Sequence, residues 1–265
     1  MIVCYPSCKK CKNLLITSMD SIQRHNPEIT FAIFNNNEYS KEDLKNIKRH
    51  CQKLIVFDVS FWMDIFRDCQ TLHSQRNCYI RLLMPRVFQK FDKRVSQIIY
   101  CDEDCYCIGH IDKFWRYYFK NDVIGFKDAY NISFENGILT VPRCHSYEGL
   151  LITSESPYIN SGLLKFKTSF DIRYLLSSMN FYIVSHCCGI SALHDQTLIN
   201  TLEHNMIDFE IDHKNNSNRY VILTIAKQFE HFNIAHTYGY RNDMKRFTKE
   251  MHKMDIDKDL IERVN

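Results

Sequence analysis

Three short apolar runs, Ile2-Val3-Cys4-Tyr5, Ile29-Thr30-Phe31-Ala32-Ile33-Phe34 and Leu54-Ile55-Val56-Phe57, are separated by two stretches long enough to be helices. Runs of β-branched and aromatic residues with little alternation are the pattern of strands buried on both faces. Between the first two, Leu14, Leu15, Met19 and Ile22 recur at helical spacing up to a stop at Asn26-Pro27. Between the second and third, Ser40-Lys41-Glu42-Asp43 has the form of an N-cap with an acidic residue at the third helical position, opening a helix to about His50. This βαβαβ order implies parallel strands with helices on both faces, and ligands collect at the carboxyl ends of such strands. The expected class is α/β, a Rossmann-like, mostly parallel sheet flanked by helices in one domain, without the GxGxxG turn of dinucleotide-binding folds. Further strands are expected at Val123-Ile124-Gly125-Phe126, Gly137 to Val141 and Tyr220 to Ile225, with helices from Asp171 to Met179 and from Asp195 onward.

The run Val95-Ser96-Gln97-Ile98-Ile99 leads directly into Tyr100-Cys101-Asp102-Glu103-Asp104. On an extended backbone, side chains two apart point the same way, so Asp102 and Asp104 can face one cation while Glu103 faces elsewhere. Oxygen ligands suit Mg2+ or Mn2+, ions that keep open positions for substrate phosphates. Acidic triplets are also common in surface turns, so this one gains its meaning from the company it keeps.

Composition narrows the class of partner. With 265 residues, 45% hydrophobic and 25% charged, the chain can build and cover a core, and a net charge of +3 spread along it gives no argument for nucleic acid. The sequence contains no apolar window of membrane-spanning length, and Met1 to Pro6 lacks a basic region followed by a long apolar core; a cytoplasmic location is expected. The twelve cysteines are then expected to be mostly reduced, with Cys78, Cys101 and Cys107 serving as small core residues. Cys8-Lys9-Lys10-Cys11 is the one pair with redox or zinc spacing; with no second such pair, free thiols are the expectation. Arg241, Lys245, Arg246, Lys249 and Lys253 alternate with Phe247, Met251 and Met254, as in a basic amphipathic helix that could make peripheral contact with an anionic membrane, although a solvated helix is the commoner outcome.

Four segments occur in order: Cys78 to Pro85 before the acidic triplet, Tyr158-Ile159-Asn160-Ser161-Gly162-Leu163-Leu164, His194-Asp195-Gln196-Thr197-Leu198-Ile199-Asn200, and Ile234-Ala235-His236-Thr237-Tyr238-Gly239. The ordered set resembles the family 8 glycosyltransferases, retaining enzymes of the GT-A fold that take hexoses from nucleotide diphosphate sugars. The resemblance runs from the first strand to about Gly239. It implies a GT-A domain over 1–240, with a nucleotide-binding half at 1–107 and a donor-sugar and acceptor half at 108–240, followed by the basic segment 241–265.

By that resemblance Asp102, Asp104 and His236 are the protein ligands of Mn2+, with Mg2+ as the alternative. Arg81, Asp195 and Gln196 are the catalytic residues: Arg81 reaches the donor, Asp195 binds a sugar hydroxyl, and Gln196 lies near the anomeric carbon. Tyr5, Glu103, Asn160, Ser161, Gly239 and Arg241 complete the donor site. Asp195 can also be a helix N-cap. The implied donor is UDP-glucose or UDP-galactose, and the implied acceptor is a glycan, glycoprotein or glycolipid. The chain departs from the family in two places. Pro6-Ser7-Cys8-Lys9 stands where an acidic or amide residue usually reads the uracil ring, and Gly239-Tyr240-Arg241-Asn242 replaces a closing lysine, with Arg241 as a substitute one position out of register. Two other classes fit the residues: a metal-dependent phosphohydrolase or nuclease using Asp102, Asp104 and Asp195, and a GT-A module that binds a nucleotide sugar without turnover.

Overall fold

The computed structural model describes residues 1–66, 77–107, 109–127, 133–135, 138–140, 159–176, 194–202, 204–207 and 234–236. In chain order the elements are β1 (Ile2–Pro6), α1 (Lys12–His25), β2 (Thr30–Asn35), α2 (Lys41–Lys48), β3 (Leu54–Asp58), α3 (Ile80–Phe91), β4 (Gln97–Cys101), β5 (Cys105–Cys107) and α4 (Asp112–Arg116). They continue with β6 (Val123–Lys127), β7 (Ser133–Glu135), β8 (Ile138–Thr140), β9 (Ile159–Lys167), α5 (Ile172–Leu176), α6 (His194–Ile199), β10 (His204–Ile207) and β11 (Ile234–His236). The sequence between Tyr220 and Ile225 and the basic segment 241–265 lie outside the described residues.

The chain divides into two compact units, one of Met1–Phe57, Ile99–Tyr118 and Phe209–Asn265, the other of Asp58–Ile98 and Phe119–Asp208. In the first, β1 pairs in parallel with β2 from Ile2↔Thr30 to Pro6↔Phe34, and with β4 at Val3↔Ile99 and Cys4↔Tyr100. A backbone bond from Phe31 N to Lys53 O (2.9 Å) leads from β2 toward β3. Of the apolar stripe read from the sequence, Leu15, Met19 and Ile22 are fully enclosed on the buried face of α1, while Leu14 is half-buried. The helix ends at Asn26, whose buried amide fastens the last turn of α1 to the segment at Gly109–Ile111. Its Nδ2 donates to Ile22 O (3.0 Å) and Gly109 O (3.3 Å), and its Oδ1 accepts from Ile111 N (3.0 Å). Helix α2 opens on the expected capping box: Ser40 Oγ accepts from Asp43 N (3.2 Å) while Asp43 Oδ2 accepts from Ser40 N (3.1 Å). Strand β3 differs from its expected burial. Val56 is exposed and Phe57 rests on Phe34 with ring centres 5.0 Å apart, as in an edge strand with one covered face.

In the second unit β10 pairs in parallel with β6, and β6 pairs antiparallel with β9. Gly125 makes that last pairing close: a Cβ there would sit 2.6 Å from Ile159 Cδ1 and 2.9 Å from Leu164 Cδ2. Strands β7 and β8 form a separate antiparallel pair. Helix α3 runs through Pro85 to Phe91, and β4 follows it in the chain before the acidic triplet. Pro85 removes the helical bond to the Arg81 carbonyl, yet buried Leu82, Leu83, Val87 and Phe88 on both sides of it keep the helix packed. Cys78 is only half-buried, in contrast to the core role expected of it. Among the described residues no helix is long and apolar enough to cross a membrane.

Lys165, in the middle of β9, is almost fully enclosed, with its ammonium 4.5 Å from the centre of the Phe119 ring. Burial brings its pKa down from 10.5 to about 8. A lysine whose pKa falls on folding opposes folding while it is protonated, and that opposition fades as pH rises from about 8 to 10.5. Lys165→Met is therefore expected to raise Tm by several degrees at pH 7, with the gain shrinking to nothing near pH 10.5. Thermal melts of both proteins at the two pH values check this, because a gain independent of pH would reflect packing alone.

Candidate active site

Strand β4 ends at Cys101, and the acidic triplet that follows is a turn closed by Cys105 N donating to Asp102 O (3.1 Å), not the extended segment expected from the sequence. The turn changes what the middle residue does. Glu103 is buried, and its carboxylate lies with the sulfurs of Cys8 and Cys11, the three ligand atoms all within 4.8 Å of one another. Its side chain is thus directed at two thiols. Asp102 is half-buried and accepts a short hydrogen bond from the Tyr100 hydroxyl, while Asp104 is almost fully buried. Strand β11 runs antiparallel to β5 and puts His236 in register with Cys105, the residue after Asp104. Two carboxylates thus lie on one turn, with the backbone of His236 on the strand paired beside it; carboxylate and imidazole groups are the kinds of donor that a divalent cation such as Mn2+ or Mg2+ takes.

Tyr5, at the end of β1, is placed in the interior of the first unit. Its ring is fully buried beside Phe31, and its hydroxyl shares a 2.7 Å hydrogen bond with Ser18 Oγ, so the side chain belongs to the core. Burial pushes its pKa well above the usual tyrosine value.

In the second unit the structure brings Arg81, Ser161, Asp195 and Gln196 into one buried network. Arg81 Nε lies 2.9 Å from Asp195 Oδ2, both side chains being enclosed, and also donates to Cys78 O (3.0 Å). Arg81 Nη1 donates to the Ser161 carbonyl in a short bond. Gln196 Oε1 accepts from both the backbone N–H (3.0 Å) and the hydroxyl (3.2 Å) of Ser161. Asn160 Oδ1 accepts from Gly162 N (2.8 Å) within β9. Asp195 falls inside α6, after His194, rather than at its N-cap.

One residue of this network had no role assigned from sequence. Asn200 Oδ1 accepts from Ile159 N (2.7 Å), and its Nδ2 donates to Ile159 O and to Gln196 O, each at 2.8 Å. It thereby fixes the end of α6 to β9, and its place four residues after Gln196 is the signal that could have revealed it. Gly239 and Arg241 lie outside the described residues.

The profile of the family described as "Glycosyl transferase family 8" matches residues 13–169, more than half of the chain. The chain belongs to glycosyl transferase family 8. As a family 8 glycosyltransferase it has the GT-A fold, and solved structures of that fold superpose on nearly its whole length. The galactosyltransferase LgtC, in complex with donor and acceptor sugar analogues, is 14% identical with a TM-score of 0.68, covering 96% of each chain. The glycosyltransferase GlyE of Streptococcus pneumoniae TIGR4 is 14% identical with a TM-score of 0.59, over 98% of this chain and 61% of its own. Mouse xyloside xylosyltransferase 1 is 13% identical with a TM-score of 0.55, over 91% of this chain and 98% of its own. Sequence comparison with curated proteins found no match. Family membership supports a glycosyltransferase over the phosphohydrolase reading of the same residues.

Proposed function

We propose that this glycosyltransferase moves a hexose from a nucleotide diphosphate sugar, of the UDP-glucose or UDP-galactose class, to a hydroxyl of a glycan, glycoprotein or glycolipid with retention of anomeric configuration. The observation that carries this reading is the buried network of Arg81, Ser161, Asp195 and Gln196, which supports the sugar-binding roles implied by the family resemblance. The presence of donor and acceptor sugar analogues in the LgtC complex supports a nucleotide-sugar donor and a sugar acceptor.

Asp102, Asp104 and His236 are the residues that would hold a divalent cation, Mn2+ before Mg2+ because one donor is an imidazole. Such an ion would offset charge developing on the departing diphosphate. The chain's own groups do the rest. Arg81 holds the Asp195 carboxylate in one orientation, and that carboxylate positions the donor by accepting from a sugar hydroxyl. Both lone-pair directions of Gln196 Oε1 are taken up by Ser161, which makes it a poor nucleophile and favours front-side displacement over a covalent glycosyl-enzyme. In that displacement the acceptor oxygen bonds to the anomeric carbon as the bond to the diphosphate oxygen breaks, and the departing oxygen takes the acceptor's proton.

Two expectations follow for this site. Isothermal titration with UDP should give tight binding only when Mn2+ is present, because Asp102 and Asp104 otherwise repel the diphosphate; equal affinity with and without metal would contradict the ligand assignment. Gln196→Ala should lower kcat more than it raises KM, since an amide near the anomeric carbon contributes modest electrostatic stabilisation. Complete loss of transfer would instead point to an obligatory nucleophile.

A further inference from the structure

The geometry points to a second metal site, built from Cys8, Cys11 and Glu103, that takes a thiophilic divalent cation of the Zn2+ class and braces the acidic turn against the start of α1. The 3-10 turn Lys9–Cys11, with Cys11 N donating to Cys8 O (3.0 Å), folds the Cys-x-x-Cys pair so that its sulfurs are 3.1 Å apart. Cys11 is the residue just before α1. Cys11 and Glu103 are buried and Cys8 is half-buried, so the three donors form a shielded cluster with one partly open side. Tyr39 stands over it, its hydroxyl donating to Cys8 O (2.9 Å).

Tetrahedral zinc holds sulfur at about 2.3 Å and carboxylate oxygen at about 2.0–2.2 Å, which puts neighbouring ligand atoms roughly 3.5–3.8 Å apart. A cluster spanning 4.8 Å at most, with its sulfurs at 3.1 Å, reaches that arrangement by small side-chain rotations. Water would take the fourth position on the open side. The same two sulfurs are not joined as a disulfide.

The site is chemically distinct from the one assigned to Asp102 and Asp104. Thiolates select Zn2+, while carboxylates with an imidazole leave Mn2+ to the neighbouring position. Because Glu103 is the middle residue of the turn, a cation on its carboxylate would hold Asp102 and Asp104 in place from behind. Binding at the cysteine site does not depend on the sugar-transfer reading.

The test uses the full chain, reduced and stripped of metal, titrated anaerobically with Co2+. Thiolate-to-cobalt charge-transfer absorption should rise to one equivalent, be displaced by one equivalent of Zn2+, and resist excess Mn2+. Cys8→Ser should remove most of the band, and Cys11→Ser should do the same where circular dichroism shows it folded. Glu103→Gln should keep the band and weaken Zn2+ about tenfold or more. No band in the folded, reduced wild-type chain would overturn the proposal. A band of full strength in Cys8→Ser would also overturn it, since the thiolates would then belong to other cysteines.

Discussion

Asp104→Asn is expected to reduce sugar transfer by roughly several hundredfold while leaving the fold intact, which is the scale of losing one ligand to an ion that stabilises a departing diphosphate. The substitution keeps the shape of a side chain that is almost fully buried and removes only its charge. Folding should tolerate it, because a neutral amide costs less to bury than a carboxylate. His236→Ala should have a loss of the same order, since β11 sets that residue in register beside the acidic turn. Donor hydrolysis and circular dichroism on the same preparations separate chemistry from folding. A near-normal rate in either folded variant would remove that residue from the site.

The largest stability effect is expected at the Arg81–Asp195 pair. Arg81→Met leaves the Asp195 carboxylate buried without its cation and takes a donor from the carbonyls of Cys78 and Ser161. Removing one partner of such a pair costs about 3–5 kcal/mol, more than either hydrogen bond alone would suggest. Replacing both, in Arg81→Met with Asp195→Leu, should recover a large part of that stability while leaving the enzyme inactive. Urea unfolding of wild type, single and double variants measures this directly. A double variant no more stable than the Arg81 single would show that the ion pair is not the source of the cost.

The parts of the fold set by local periodicity were legible in the sequence. Leu15, Met19 and Ile22 mark the buried face of α1, and Ser40 with Asp43 mark the start of α2, because both depend only on neighbours within a turn or two of helix. The acidic triplet was misread for a related reason. The two-residue rule assumed that β4 continued, whereas the Cys105–Asp102 backbone bond ends it and turns Glu103 inward. Burial of β3 was overestimated because an apolar run does not say whether another strand lies beyond it.

Contacts between distant segments were the least legible. The resemblance gave Arg81, Asp195, Ser161 and Gln196 separate roles toward a donor, but their bonds to one another appear only once α3, β9 and α6 are packed. Cys8 and Cys11 have no second Cys-x-x-Cys pair in the sequence, and the carboxylate that lies beside them comes from Glu103, beyond β4. Lys165 sits in a run that otherwise reads as buried strand, and the Phe119 ring near its ammonium is a contact that local sequence does not reveal.

The measurement that bears most directly on the account is proton NMR of the sugar released or transferred when the Mn2+-loaded protein is given UDP-glucose or UDP-galactose. Retention of the donor's anomeric configuration, together with release of UDP, is the predicted result. An inverted product would contradict the front-side displacement assigned to this site.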